Sequence, residues 1–409
     1  MKILLITQYF WPEQFIINDL VKELAHQGHS IYVLTGKPNY PGGIVFSGYT
    51  QADTMVEEFI PGVQVFRAPL RPRGLKSGKN LFLNYCSFVF NGCWYFPKAI
   101  KGQSFDVILS FGLSPITSVL PAIIIKKKLK SHLAVWVQDL WPDSLKATGY
   151  IKNKYVLWLV GCLVRGIYYC SDTLLVQSKG FKIQVKRFAN EGKIIYYPNS
   201  FVPQVSVEYA LSRQIISTLE NNFCLVFAGN LGTVQALDTL LDAAKVLVCI
   251  EEFRLILVGS GSMTSHLQQR VLNEELTNVI MAGHYPTEAM PGIFKRASAL
   301  IVSLNSDQLF SYTVPSKVQA YLAAGRPIIA ALHGESADIV NEAGAGLTCS
   351  AENTEELISC IKQLHEMPLE ERENMGQLGR AYFLKHFEIS VQAKRLIDIL
   401  KQRLSYYEK

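Results

Sequence analysis

The sequence lacks the cysteine groupings that hold metal ions or build disulfide frameworks. Its eight cysteines are scattered through 409 residues, and no two of them stand in a CxxC pair. Scattered thiols are typical of buried cysteines in a reducing cytoplasm, and they disfavour a zinc site or a secreted, disulfide-bonded protein. We therefore predict a cytoplasmic protein without a metal site.

Long hydrophobic runs are also missing. The N-terminal KILLI is too short for a signal sequence and predicts a first buried strand. Residues 80–97 carry no charge but are interrupted by polar residues, and LPAIIIKKKLK soon ends in lysines, whereas a membrane span needs about 20 predominantly apolar residues. Both segments are candidates for lying on a membrane surface. A buried helix followed by a solvated charge run is the alternative for each.

Charged residues are few, at 18%, but their distribution is uneven. With 49% hydrophobic residues over 409 positions, the composition predicts a globular chain of two domains. Residues 1–205 carry 23 Lys and Arg against 11 Asp and Glu, and residues 206–409 carry 17 against 23. The N-terminal half is therefore the half expected to meet an anionic surface or substrate.

Short apolar runs alternate with segments of helical period, which is the pattern of parallel α/β units. The predicted strands are residues 2–6, 30–35, 63–68, 105–110, 132–138, 173–177, 193–197, 223–228, 254–258, 278–281, 299–304 and 327–332. An irregular segment near residue 205 separates two series, so we predict a first domain over 1–205, a second over 206–390 and a C-terminal helix over 391–409 that crosses back to the first. Two such sheets imply a cleft with ligands beyond the carboxyl ends of the strands.

Glycine turns follow three strands of the second series. FAGNLG contains Gly229 and Gly232, LVGSGS contains Gly259, and AGHY contains Tyr285. Glycines let the backbone approach a phosphate, and the start of the following helix offers unpaired N–H groups. A single turn of this kind is equally typical of a tight strand–helix connection, but three in succession favour a nucleotide site.

The segment VPSKVQAYLAAGRPI, residues 314–328, combines a helix start with a lysine. Pro315, Ser316 and Lys317 open the predicted helix, so the Ser316 hydroxyl and the first-turn amides point out of its positive end. A cation in this turn opposes the helix dipole, which favours acidic residues there. A bound anion such as a diphosphate would explain the lysine. The alternative is an exposed lysine whose stem lies on the surface.

Together these motifs resemble the retaining, two-domain GT-B glycosyltransferases of family 4. The resemblance also rests on ADIVNEAGAGL, WVQDLWPDS and QYFWPEQFIINDLVKELAHQGHSIYVLTGKPNYPGG, and it covers essentially the whole chain. Within the family the sequence is most similar to the bacterial O-antigen and capsule branch that includes N-acetyl-L-fucosamine transferases.

The resemblance implies two Rossmann-like parallel-sheet domains facing across a cleft. It implies a nucleotide-sugar donor, favouring a UDP-sugar, on the second domain and a lipid-linked saccharide acceptor on the first, with no cofactor beyond the donor. Its donor-binding residues correspond to Gly229, Asn230, Gly232, Gly259, Tyr285, Ser316 and Lys317.

The sequence departs from the family pattern at the ribose. Two glutamates that stand eight residues apart in many members correspond here to Tyr312 and Ala320, and neither is acidic. Gln319 or a backbone carbonyl is then the candidate to receive the ribose hydroxyls. The cation pair that often follows the second-domain glycine turn is also absent, which leaves Lys317 to neutralise the phosphates, with Arg296 or Arg326 as a further candidate.

Transfer of a sugar from a nucleotide diphosphate requires stabilisation of the leaving phosphate by metal ions or by fixed cations and helix dipoles. The chain has no DxD triplet, so we predict a metal-independent enzyme in which Lys317 acts. Asp139 follows a predicted strand directly and is the candidate to hold or deprotonate the acceptor hydroxyl, with a turn or N-cap aspartate as the alternative. The other predicted acceptor-binding residues are Glu13, Asn18, Asn39 and Tyr40.

Cations beside aromatic residues in the first domain favour an anionic membrane surface carrying a lipid diphosphate. The cations are Arg67, Arg71, Arg73, Lys76, Lys79 and the lysines of residues 126–130. We therefore predict a cytoplasmic protein bound peripherally to the inner membrane, without a nucleic-acid partner, because no nucleic-acid motif is present.

Two other functions fit the same pattern. One is a UDP-sugar epimerase of the same fold, and the other is a non-catalytic scaffold that binds nucleotide sugars. A nicotinamide dehydrogenase is disfavoured, because the first strand runs into TQYFWPE without a glycine fingerprint.

Overall fold

The computed structural model describes residues 1–75, 78–147, 149, 151–203, 209 and 211–407. The chain divides into two compact units. Unit 1 comprises Met1–Ser200 with Ile389–Lys409, and unit 2 comprises Phe201–Glu388. The predicted boundary near residue 205 lies in 204–208, outside the described residues, as does Lys76.

Unit 1 is built on a sheet with the strand order β3-β4-β2-β1-β5-β6-β7-β8. The strands are β1 Lys2–Ile6, β2 Ser30–Gly36, β3 Met55–Ile60, β4 Val63–Ala68, β5 Val107–Gly112, β6 His132–Val137, β7 Thr173–Val176 and β8 Ile194–Tyr196. Its helices are α1 Ile16–His26, α2 Gly78–Ala99, α3 Leu120–Leu129, α4 Asp143–Ala147, α5 Lys154–Cys170 and α6 Lys179–Val185.

Unit 2 is built on a second sheet, ordered β11-β10-β9-β12-β13-β14. The strands are β9 Phe223–Ala228, β10 Phe253–Val258, β11 Val279–Gly283, β12 Ala299–Ser303, β13 Ile328–Ala331 and β14 Gly346–Cys349. Its helices are α7 Arg213–Asn221, α8 Leu237–Val246, α9 Thr264–Asn273, α10 Met290–Arg296, α11 Gln308–Ser311, α12 Ser316–Ala324, α13 Glu335–Glu342, α14 Thr354–Glu366 and α15 Leu369–His386.

The last helix, α16 Ile389–Tyr407, belongs to unit 1. Leu396 and Leu400 are buried in the same hydrophobic cluster as Leu20 and Leu24 of α1. The Tyr197 hydroxyl donates to the Gln392 carbonyl at 3.1 Å, which ties the start of the helix to the end of β8. Val391, near the start of the helix, is exposed.

The predicted α/β class with two parallel-sheet, Rossmann-like domains is confirmed. The central strands are buried along almost their whole length, as parallel strands covered by helices on both faces must be. The prediction missed β3, which pairs antiparallel with β4, and β14. The parallel arrangement matters for function, because it brings the carboxyl ends of all parallel strands in a sheet to one edge.

No helix in the described part of the chain is long and apolar enough to cross a membrane.

Candidate functional site

Two glycine loops of unit 2 meet backbone to backbone. Gly229 follows β9 and Gly259 follows the neighbouring β10, and both have positive φ, at 133° and 136°. The Gly229 amide donates to the Val258 carbonyl at 2.9 Å. A Cβ on Gly259 would lie 1.9 Å from the carbonyl oxygen of Gly229. Glycine is therefore required at 259 by both conformation and space.

Lys317 lies directly on this pair of loops. Helix α12 begins at Ser316, and the Lys317 Nζ atom lies 3.7 Å from the centroid of the Phe227 ring at the end of β9. A Cβ on Gly229 would come within 2.6 Å of the Lys317 Cε atom, so the absent side chain makes room for the lysine. Gly229 and Lys317, far apart in sequence, are thus brought into contact.

The Lys317 ammonium group is buried and has no hydrogen-bond partner among the described residues. Burial lowers the pKa of this lysine to about 8. The exposed-lysine interpretation is therefore wrong. A buried cation without a partner is unfavourable, and the Phe227 ring offsets only about 0.5–2 kcal/mol of that cost. An anion bound beside the glycine loops would complete the arrangement.

Tyr321 fixes the position of α12 against β9. Its hydroxyl accepts from the Ala228 amide at 3.0 Å, one residue before Gly229. Residues four apart lie on the same side of a helix, so the bond that holds Tyr321 also holds Lys317 over the loop. Tyr321 was not singled out from the sequence, where it has the appearance of an ordinary core residue.

Asn230 completes the loop after β9. A Cβ on Gly232 would lie 2.6 Å from Asn230 Nδ2, and a Cβ on Gly261 would lie 2.7 Å from Asn230 Oδ1. The Gly232 amide donates to Gln235 Oε1 at 3.1 Å. The exposed Asn230 side chain is therefore held between two glycines at the surface of the candidate site.

The remaining predicted donor residues are Ser316, Gln319 and Tyr285. Ser316 is exposed. Gln319 is buried, and because it comes two positions after Lys317 it does not share a face of α12 with that lysine. Tyr285 follows β11, two strands away from β9, and its ring packs against Tyr209 at 6.4 Å. Ser316, Gln319 and Tyr285 therefore stay predictions as donor-binding residues, as do the glycine-loop residues and Lys317.

A buried carboxylate in unit 2 escaped the sequence interpretation. Glu335 is the first residue of α13, shortly after β13, and is almost fully buried. The neighbouring Ser336 hydroxyl donates to the Thr313 carbonyl at 3.1 Å, beside Tyr312. The one sequence feature that could have indicated Glu335 is the Gly-Glu pair shortly after a predicted strand.

Glu13 organises the loops at the carboxyl ends of β1 and β2 in unit 1. Its Oε1 atom accepts from the amides of Asn39 at 2.8 Å and Tyr40 at 2.7 Å, and its Oε2 atom accepts from the Phe10 amide at 3.2 Å. The residue is only 2% exposed. Burial raises its pKa to about 7, against the opposing effect of the three amides. Glu13 thus joins the two loops.

Asn18, Asn39 and Tyr40 surround Glu13. Asn18 Nδ2 donates to the Glu13 carbonyl at 2.6 Å, and Asn39 Oδ1 accepts from the Arg73 amide at 3.1 Å. The Tyr40 ring is partly exposed and lies 4.9 Å from the Arg73 guanidinium carbon. The four predicted acceptor residues of these loops therefore form one cluster, in which Tyr40 offers the most accessible surface.

Asp139 lies at the same edge of the sheet but apart from that cluster. It follows β6, and β5 separates β6 from β1. Trp141 Nε1 donates to Asp139 Oδ2 at 3.3 Å and to Ser114 Oγ at 3.1 Å. No described residue donates to Oδ1 of Asp139, so one carboxylate oxygen is available to a substrate hydroxyl.

Lys37 is a second buried lysine that the sequence interpretation missed. It follows β2 directly, is 1% exposed, and makes no ion pair or hydrogen bond with another described residue through its side chain. Burial lowers its pKa, and the neighbouring Arg67 adds to that effect. A lysine after a strand was the only signal, and it cannot be distinguished in sequence from an exposed loop residue.

One cation predicted for the membrane surface lies inside the fold. Arg67 is fully buried and ion-paired with Glu57, so this assignment is wrong. Lys126 is partly exposed and donates to Asp172 at 2.6 Å. Among the described residues, no three His, Cys, Asp or Glu side chains are grouped so as to hold a metal ion.

Comparison with known proteins shows what the chain is similar to. Residues 208–382 match the family of glycosyl transferases group 1. WcaI of Escherichia coli (strain K12), a glycosyl transferase assigned to colanic acid biosynthesis, is 23% identical over 386 residues, which are 90% of this chain and 93% of WcaI. These matches support a glycosyltransferase, and the matched segment lies entirely within unit 2.

Solved structures share the fold over nearly the whole chain. Sucrose-phosphate synthase from Thermosynechococcus elongatus has a TM-score of 0.71 at 15% identity and covers 99% of both chains. Anabaena Alr3699/HepE, solved in complex with UDP, has a TM-score of 0.68 at 13% identity and covers 98% of this chain and all of its own. At these identities the likeness shows the fold alone, which is of the GT-B type.

Proposed function

We propose that the chain is a retaining glycosyltransferase that moves a sugar from a UDP-sugar to a polyprenyl-diphosphate-linked saccharide in O-antigen or capsule synthesis. The observation that carries this proposal is the buried Lys317 ammonium group, which has no hydrogen-bond partner among the described residues and lies beside two glycine loops. The similarity to WcaI supports a cell-surface polysaccharide, and the UDP bound to HepE supports the nucleotide. N-acetyl-L-fucosamine is the first donor sugar to test.

The reaction begins at the donor diphosphate. The bond between the anomeric carbon and the phosphate oxygen breaks, and its electron pair stays on that oxygen. Negative charge therefore grows on the diphosphate while the sugar becomes oxocarbenium-like. We assign Lys317 to stabilising this charge, since a preorganised cation in a dry site acts without reorganisation.

The acceptor hydroxyl then forms the new bond to the anomeric carbon, on the face that the diphosphate leaves. Its proton passes to the departing phosphate oxygen or to Asp139. We assign Asp139 to hold the acceptor hydroxyl, because one of its carboxylate oxygens accepts no hydrogen bond from the described residues. Glu13 is a positioning residue, because both of its oxygens already accept backbone amides.

The pKa of Lys317 predicts a pH dependence of UDP binding. In the free protein the pKa is about 8, and a bound diphosphate would raise it, because a nearby negative charge favours the ammonium form. Binding above pH 8 therefore takes up a proton. We expect the affinity to be constant just below pH 8 and to fall by up to about tenfold per unit above it.

Calorimetric titration of UDP at several pH values measures this dependence. Lys317→Met should bind more weakly and should lose the fall above pH 8. An equal fall in wild type and variant would show that another group titrates.

Asp139→Asn tests the acceptor assignment. We expect transfer to slow by roughly a hundredfold, which is typical for loss of a group that receives a proton, while UDP affinity stays unchanged. Initial rates of UDP release with acceptor present measure the effect. Asp398→Asn, on the exposed face of α16, is the matched control. Wild-type rates for Asp139→Asn would remove Asp139 from the mechanism.

A further inference from the structure

Helix α5 exposes a row of apolar side chains along its outer face. Tyr155, Trp158 and Leu159 are 71%, 70% and 63% exposed, and Leu163 and Tyr169 continue the row. Residues 155, 158, 159 and 163 follow the i, i+3 and i+4 spacing, and residue 169, fourteen positions after 155, is close to four helical turns on, so these side chains share one side of the helix. The opposite side, which includes Val164 and Ile167, is buried in unit 1. A contiguous exposed apolar row of this kind marks an interaction surface.

A basic cavity of about 340 Å³ adjoins this helix from Lys154 to Arg165. It lies among α4, α5 and the residues that follow α6. Four cations line it, namely Lys146, Lys154, Arg165 and Arg187, together with the exposed Trp158 of the apolar row.

The positive charge of the cavity is only partly neutralised. Asp143 is the single carboxylate among its lining residues, and it pairs with Arg187 at 3.0 Å. Lys146, Lys154 and Arg165 make no ion pair with any described residue. The guanidinium carbon of Arg165 lies 6.0 Å from the centroid of the Phe188 ring, which forms part of the wall. The cavity therefore combines three unneutralised cations with aromatic surface, a combination that suits an anionic group attached to an apolar chain.

The segment that follows Asp139 contributes to the wall of the cavity. Pro142 and Asp143 belong to its lining, and Trp141, immediately before them, donates to Asp139. An anionic ligand in the cavity would therefore contact the segment Pro142–Asp143, which is linked through Trp141 to the residue assigned to the acceptor hydroxyl.

We propose that this cavity binds the diphosphate of the lipid-linked acceptor, while the apolar row of α5 lies in the membrane interface and contacts the polyprenyl chain. The inference rests on the proposed function, since that function makes a lipid diphosphate the acceptor. The three unpaired cations are more than enough to neutralise the two negative charges of a diphosphate that is joined to a lipid at one end and a sugar at the other. Trp and Tyr are favoured at the interface, where one end of the side chain is apolar and the other is wet. A protein partner would not require the adjoining cluster of cations.

Vesicle flotation tests the proposal without any transfer reaction. The full chain is mixed with phosphatidylcholine vesicles that contain a polyprenyl diphosphate, with vesicles of equal charge made with phosphatidylglycerol, and with phosphatidylcholine alone. We expect the strongest binding to the diphosphate lipid. The double variant Lys146→Glu/Arg165→Glu should lower this binding on the order of tenfold or more, because each basic residue near an anionic surface contributes about 1 kcal/mol.

Matched controls distinguish the effect of the cavity on vesicle binding from general effects of charge and hydrophobicity. Arg213→Glu changes an exposed arginine of unit 2 and should leave flotation unchanged. Leu159→Ser should weaken binding to all three vesicles, whereas Leu272→Ser, at a leucine 75% exposed in unit 2, should not.

Equal binding to the two anionic vesicles, or wild-type flotation of the double variant, would overturn the proposal. UDP titration of the same proteins keeps the two claims distinct. If the double variant binds UDP normally but no longer floats with the diphosphate lipid, the cavity assignment is supported. If the wild type floats in this selective way but binds no nucleotide, the cavity stands and the proposed transferase function fails.

Discussion

Replacing Lys317 with methionine is expected to weaken UDP binding by about tenfold to a hundredfold. The ammonium group is buried against Phe227 with no hydrogen-bond partner among the described residues, and the proposed diphosphate would supply that partner. A hydrogen bond to a charged group contributes about 1.5–3 kcal/mol, which corresponds to this loss of affinity. Methionine retains most of the length and apolar surface of the lysine stem, so the packing over Gly229 is kept.

The same variant should unfold no earlier than wild type. Removing an uncompensated buried charge relieves a cost of folding, so the melting temperature of the free protein is expected to stay constant or to rise. Lys362→Met, at an exposed position of helix α14, is the matched control and should bind UDP like wild type. Unchanged UDP affinity in Lys317→Met would contradict the assignment of this lysine to the phosphates.

Gly259→Ala is expected to remove UDP binding and to destabilise unit 2 by about 3 kcal/mol or more. The added Cβ would lie 1.9 Å from the carbonyl oxygen of Gly229, at a backbone φ of 136° that alanine rarely adopts. Because backbone atoms form the clash, neither loop can yield by rotating a side chain. A loss of unfolding free energy of this size lowers the melting temperature by about 6 °C or more.

Thermal unfolding with and without UDP measures both effects of Gly259→Ala. UDP should raise the melting temperature of wild type but not that of the variant. Gly292→Ala, in helix α10 of the same unit, is the matched control, since its Cβ would meet nothing nearer than 3.5 Å. Normal UDP stabilisation of Gly259→Ala would show that the glycine loops do not form the donor site.

The sequence predicted the inner strands of both sheets well because burial on both faces leaves continuous apolar runs. β9, for example, has the predicted bounds, Phe223–Ala228. The missed strands lie at sheet edges. β3 contains Glu57 and Glu58 and alternates between exposed and partly buried positions, and β14 has only four residues. Edge strands bury less surface and therefore carry a weaker apolar signal.

Parts of the candidate site that depend on local sequence could be predicted. Parts that depend on tertiary packing could not. The helix start at Ser316 and the glycine turn at Gly229 follow from local chemistry. The burial of Lys317 over Phe227 depends on how α12 packs on β9, which no local pattern determines. Charge patterns alone likewise could not show that Arg67 has its carboxylate partner inside the fold.

The most direct test of the central claim is release of free nucleotide from UDP- and GDP-sugars, with UDP-N-acetyl-L-fucosamine included, in EDTA. Each donor is incubated with and without a polyprenyl-diphosphate-linked saccharide. We predict that at least one UDP-sugar releases UDP only when the acceptor is present, and that chelation does not abolish this release. Donor binding without release from any pair would contradict the transferase mechanism proposed here and favour a nucleotide-sugar-binding scaffold, with Tyr312 and Ala320 as the first positions to examine.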